Sequence, residues 1–137
     1  MSTSDTTESV FMLTSTDGAT LSLSCAESED GELAVVAEGI DYRVTGSVRT
    51  FMAPSLPDFL ESVAARPGIG RSVGPWVSLE GELRIEASMD ATGHIFLTYH
   101  LRSQDCMGWR FTGRLVMELG GWPLLCKRAR RFWSDAY

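Results

Sequence analysis

A chain of 137 residues with 44% apolar content and a net charge of −6 can bury roughly two thirds of its unfolded surface in one core, so a single domain is expected. No run approaches the ~20 apolar residues of a membrane span, and the opening "MSTSDTTES" has neither the basic nor the apolar region of a secretory signal, so a cytoplasmic protein is expected. Residues 1–42 carry nine acids and no Lys or Arg (−9) while the other 95 sum to +3, a layout that disfavours nucleic acid and suits a cationic protein partner.

Residues 1–9 are polar and Ser/Thr-rich and read as a disordered tail, leaving 10–137 as the domain. "SVFMLTST" and "ATLSLSC" flank Asp17-Gly18, a hairpin signal, and the second run alternates Ala19, Leu21, Leu23 and Cys25 with polar residues. "ELAVVAEGIDYRVTGSVRTF" predicts one or two more strands. Its apolar parity changes from Leu33, Val35 and Ala37 to Tyr42, Val44 and Val48, so Gly39 marks a bulge or a turn. A helix follows, with Ser55 as cap and Asp58 three positions on. Leu56, Phe59, Leu60, Val63 and Ala64 form its apolar face, and "RPGIG" ends it. The loop "GIGRSVGPW" lacks a phosphate-binding pattern and reads as a connection.

Alternation is strongest after residue 82. Leu83, Ile85, Ala87 and Met89 point one way and Glu82, Arg84, Glu86 and Ser88 the other; Ile95 to Leu101 and Trp109 to Met117 repeat the pattern. A three-residue loop at Ala91-Thr92-Gly93 sets Met89 opposite Ile95 and Leu83 opposite Leu101. Closing the next loop around 103–107 sets Leu101 opposite Trp109. The outer face then reads in rows: Arg84, His100, Arg110; Glu86, Thr98, Thr112; Ser88, Phe96, Arg114. From "GGWP" onward a closing helix presents Trp122, Leu125, Cys126, Ala129, Phe132 and Trp133 on one side and Lys127, Arg128, Arg130 and Arg131 on the other.

Catalytic signals are absent. The three cysteines, Cys25, Cys106 and Cys126, form no C-x-x-C pair and read as buried thiols. The only histidines, His94 and His100, lie six residues apart, about 20 Å along a strand, too far to share a metal. His94 faces Asp90 across the turn, and His100 is expected between Arg84 and Arg110. Glu82 and Glu86 stand about 13 Å apart along the strand, beyond glycosidase spacing. No cofactor, metal or catalytic residue is assigned. "KRARR" reads as the wet side of the last helix. Phe96 is an apolar residue on a polar face and marks a contact surface.

The segment "WVSLEGELRIEASMDATGHIFLTYHLRS", followed by "GWRFTGRLVMEL" and an aromatic helix, resembles an actinobacterial domain family of unknown function, itself similar to the WapI-type immunity proteins of contact-dependent toxin systems. The bias of eleven arginines to the single Lys127 agrees with a GC-rich bacterial genome. The resemblance implies an α+β domain that binds and neutralises a toxin. The resulting expectation is a single α+β domain with a twisted antiparallel sheet of about six or seven strands, one inserted helix and one C-terminal helix. Its function would be non-catalytic protein binding, with a cationic toxin as partner, through Glu27, Glu29, Asp30, Glu32, Glu86, Phe96, Thr98 and His100. A ligand pocket or enzyme site around His94, Asp90 and Tyr99 is the second expectation. The third is an assembly subunit, monomer or homodimer, with Trp76, Trp109 and Trp133 partly exposed at a symmetric interface.

Overall fold

The computed structural model describes residues 10–25, 32–49, 54–65, 74–78, 80–104 and 108–136. In chain order they form β1 (Val10–Thr14), β2 (Thr20–Cys25), β3 (Glu32–Glu38), β4 (Arg43–Arg49), α1 (Leu56–Ala65), β5 (Trp76–Val77), β6 (Leu83–Met89), β7 (His94–Arg102), β8 (Arg110–Glu118) and α2 (Trp122–Ala136). The α+β expectation holds, but the strands divide into two antiparallel sheets of four, ordered β1-β2-β3-β4 and β5-β6-β7-β8, instead of one sheet of six or seven. The reason is burial. One long sheet would present an apolar face too wide for two helices, whereas two sheets can cover each other's inner faces. Gly46 of β4 shows how close they come: a Cβ there would lie 3.2 Å from Trp109 and 3.6 Å from Leu101 of the second sheet.

Local chemistry sets the turns. Gly18 takes φ +94°, and the Asp17 carboxylate accepts a hydrogen bond from the Ala19 N–H at 3.0 Å, which holds its pKa below the ordinary value. Leu13 therefore pairs with Leu21 and Phe11 with Leu23, all four buried. Gly39 belongs to a turn, donating its N–H to the Tyr42 carbonyl. The parity change across it is real: inward Leu33 and Ala37 pair with inward Val48 and Val44.

The helices close the same core. Ser55 Oγ accepts from the Asp58 N–H, capping α1, and Leu56, Leu60 and Val63 are buried while Ala64 is exposed. The indole of Trp122 donates to the Leu60 carbonyl at 2.7 Å, and that of Trp76 to the Pro54 carbonyl at 2.7 Å. Phe132 stacks on Phe11, and Trp133 meets Trp76 edge-on. Trp76 is thus buried, against the expectation of partial exposure; Trp109 is 40% exposed and Trp133 half-buried. Arg130, on the wet side of α2, bridges Asp58 at 2.8 Å and Glu61 at 2.7 Å of α1, so part of the basic run clamps the helices together. Of the cysteines, Cys126 is buried and its thiol pKa is raised, chiefly by burial. Cys25 is exposed at the end of β2, contrary to expectation, and Cys106 lies outside the described residues.

Glu82 departs most from its expected place. Its place in the alternation predicts a solvent-facing strand residue, yet it is fully buried. Ser78 Oγ donates to one carboxylate oxygen at 2.8 Å and the Arg49 N–H to the other at 3.2 Å. Leu83 N–H in turn donates to Ser78 Oγ. Glu82 thereby ties the first sheet to the start of β6. Glu82→Gln keeps an acceptor for Arg49 and can donate to the Ser78 oxygen, so a loss of only about 1 kcal/mol is expected in urea denaturation.

Candidate functional site

The outer face of β6–β8 holds the residues of interest. Asp90 Oδ1 accepts from the N–H groups of Thr92 and His94 at 2.9 Å each, and Gly93 takes φ +86°. This turn sets Met89 opposite Ile95 and Leu83 opposite Leu101, as expected. The next hairpin differs. Leu101 pairs with Phe111, not Trp109, and the bond from Ser103 N–H to the Trp109 carbonyl extends the ladder past β8. The rows across the outer face are therefore Arg84, His100, Thr112; Glu86, Thr98, Arg114; and Ser88, Phe96, Val116. Both registers keep odd residues opposite odd ones, so alternation alone could not separate them.

That two-residue shift changes the chemistry. His100 does not lie between two arginines. Its Nε2 is 3.4 Å from Glu86 Oε1 and its Nδ1 3.1 Å from Thr112 Oγ1. A carboxylate only accepts, so Nε2 carries the proton facing Glu86. The Arg84 guanidinium turns onto the same carboxylate, with contacts of 3.2 and 3.0 Å. Arg84 first, and His100 second, hold the Glu86 pKa below its ordinary value. Arg114 lies 4.6 Å over the ring of Phe96, a cation–π pair on a half-buried aromatic. At one end, Gly81, Arg84, His100, Arg102, Arg110 and Phe111 help line a cleft of about 370 Å³.

The other expected sites separate. Thr92 Oγ1 donates to Asp90 Oδ1 at 2.8 Å and lies 2.7 Å from His94 Nδ1. The hydroxyl proton is thus used on Asp90, so His94 Nδ1 is the donor to Thr92. Its other ring nitrogen has no partner among the described residues. The Asp90 pKa is lowered, most by the His94 N–H. Tyr99 does not join this pair, because it faces inward, fully buried. Its hydroxyl has no hydrogen-bond partner among the described residues, and burial, with Tyr42 second, pushes its pKa up.

Charge on the outer face is mostly positive. Arg84, Arg102, Arg110 and Arg114 stand against Glu86, with Glu118 at the far end. Of the N-terminal acids, Glu27, Glu29 and Asp30 lie outside the described residues. Glu32 is seen on β3, its carboxylate 3.4 Å from Gln104 Nε2 and 3.5 Å from Ser47 Oγ. Arg84 beside His100 and Arg114 beside Phe96 agree with the expected face, whereas sequence reasoning missed Arg102 and Thr112 as neighbours of His100; the signal is the alternation itself, once the hairpin offset is known. No group of metal-ligating side chains occurs among the described residues, and no helix there is long and apolar enough to cross a membrane.

No curated protein and no solved structure matches the chain. Over residues 12–136, from β1 to the last turn of α2, the chain matches the model of a family of unknown function, DUF6228. The match covers both sheets, both helices and the outer face, and the chain belongs to that family.

Proposed function

We propose that the protein is a non-catalytic protein-binding module whose contact surface is the outer face of β6–β8. The observation that carries this reading is the Phe96–Arg114 pair beside the Arg84–Glu86–His100–Thr112 network. Both lie on the sheet face opposite the one that joins the helices in the core. Aromatic and arginine side chains dominate binding energy at interfaces. Side chains already held in place lose less freedom on association. Glu86, Phe96, Thr98 and His100 form the centre of this surface, and the arginines around them complement an acidic patch on the partner. The cationic partner expected from charge layout would instead have to meet Glu27, Glu29, Asp30 and Glu32.

The finer role follows the resemblance to WapI-type immunity proteins: neutralising a toxin by occluding its working surface, with charge steering a fast encounter. A comparison of baits tests the binding surface. The wild-type chain and the double variant Phe96→Ser, Arg114→Glu are used to capture proteins from native lysate, with thermal stability measured alongside. A partner retained by wild type and weakened at least ~30-fold by the variant, the hot-spot range, is the expected result. Equal capture by both would rule out this face.

A further inference from the structure

In an antiparallel sheet, alternate residues direct their N–H and C=O groups to opposite neighbours. The bond from Asp90 N–H to the His94 carbonyl assigns the even positions of β7 to β6. Those from Ser103 N–H to Trp109 and from Leu119 N–H to Gly93 assign odd positions to the β7–β8 ladder. The backbone groups of Arg110, Thr112, Arg114 and Val116 therefore point off the sheet edge. At Val116 the edge is closed by β1: its carbonyl accepts from the Thr16 N–H at 2.8 Å, and its N–H donates to Ser15 Oγ at 2.9 Å. Among the described residues, no hydrogen bond closes the edge at Arg110, Thr112 or Arg114.

We propose that this open stretch of β8 takes an acidic, extended segment of a partner protein as an added strand. The inference rests on the protein-binding reading and specifies how binding occurs. Charge selects the occupant. The side chains of Arg110, Thr112 and Arg114 are exposed and project to the outer face, and Arg110 sits across from Arg102. An added strand with acids at positions i and i+4, about 13 Å apart, places one carboxylate opposite Arg110 and one opposite Arg114. Directly opposed opposite charges stabilise a strand pair, and like charges destabilise it. A second copy of this chain is disfavoured for that reason. The two-fold antiparallel register that engages all three open residues is centred on Thr112 and sets Arg110 against Arg114 at both ends. The arginines thus block edge-to-edge pairing of identical molecules while admitting an acidic strand.

The test uses the full chain and a synthetic ten-residue peptide with a Glu-Val-Thr-Val-Glu core, read by amide hydrogen exchange in NMR. At free peptide ten times the dissociation constant, exchange at Arg110, Thr112 and Arg114 should slow about tenfold, as expected for a group protected only in the complex. A peptide with lysine in place of glutamate should leave it unchanged. Thr112→Pro removes an N–H that the fold does not use, at an edge position where proline is tolerated, and should weaken the peptide at least ~10-fold. Peptide binding without slowed exchange at these amides, or undiminished binding to Thr112→Pro, overturns strand addition while leaving the outer-face reading intact. No binding by wild type at about 1 mM peptide overturns it as well. The bait comparison decides the protein-binding reading independently. The exchange measurement needs no variant, so it stands even where the proline variant fails to fold.

Discussion

Trp122→Ala should remove about 3–5 kcal/mol of stability, the range for truncating a fully buried aromatic. It would lower the melting temperature by roughly 10–15 °C for a domain of this size. Trp122 is 1% exposed and opens α2, directly after the 3-10 turn that leaves β8. Its indole fills the space between the helices, and its N–H satisfies the Leu60 carbonyl of α1. Truncation leaves a cavity and removes this hydrogen bond between the helices. Trp122→Phe separates the two: most of the volume remains, and only the hydrogen bond is lost, at about 1 kcal/mol. Urea denaturation of the pair measures both. A loss below about 1 kcal/mol for the alanine variant would mean that the helix junction relaxes freely, against the close packing expected of a core.

Gly113→Ala should cost about 2–3 kcal/mol by overpacking. A Cβ at Gly113 would fall 2.3 Å from both Cζ and Oη of Tyr99, its cross-strand partner. The ring has nowhere to retreat: it is fully buried and packs on Phe111, which itself meets Tyr42. Shortening Tyr99 should relieve the clash. In a Tyr99→Leu background the added methyl group should cost less than about 1 kcal/mol, a coupling that a double-mutant cycle reads directly. Additive losses would show that the strain lies in the backbone of β8 instead. Tyr99→Phe serves as a control. Its hydroxyl is buried with no hydrogen-bond partner among the described residues, so its removal should be neutral or stabilising.

Much of this fold is legible in the chain, and the unread parts have specific causes. The β6–β7 register follows from a short turn with glycine at positive φ, and the Asp17-Gly18 hairpin from the same local chemistry. The apolar faces of α1 and α2 follow from helical spacing. The β7–β8 register does not, because two registers two residues apart satisfy the same alternation, and the loop chemistry does not choose between them. Glu82 was unreadable for another reason: its burial depends on Arg49 N–H, contributed by the other sheet. The division into two sheets is likewise a property of how faces cover one another, which no local window contains. For the candidate surface, parity places Phe96, Thr98, His100 and Arg114 on one face, but Thr112 opposite His100 depends on the hairpin offset, which parity does not set.

Every strand pair in both sheets joins sequence neighbours, and this has a kinetic consequence. Each meander can form from nearby contacts, the condition for low loop-closure entropy and rapid folding. The seam between Ser15–Thr16 and Val116 is different, joining residues 101 positions apart for the Ser15 contact. It should close late and open early, and Ser15→Ala should mainly speed unfolding while leaving the folding rate nearly unchanged. The backbone groups at Val116 that the seam occupies would then be uncovered before the sheets come apart.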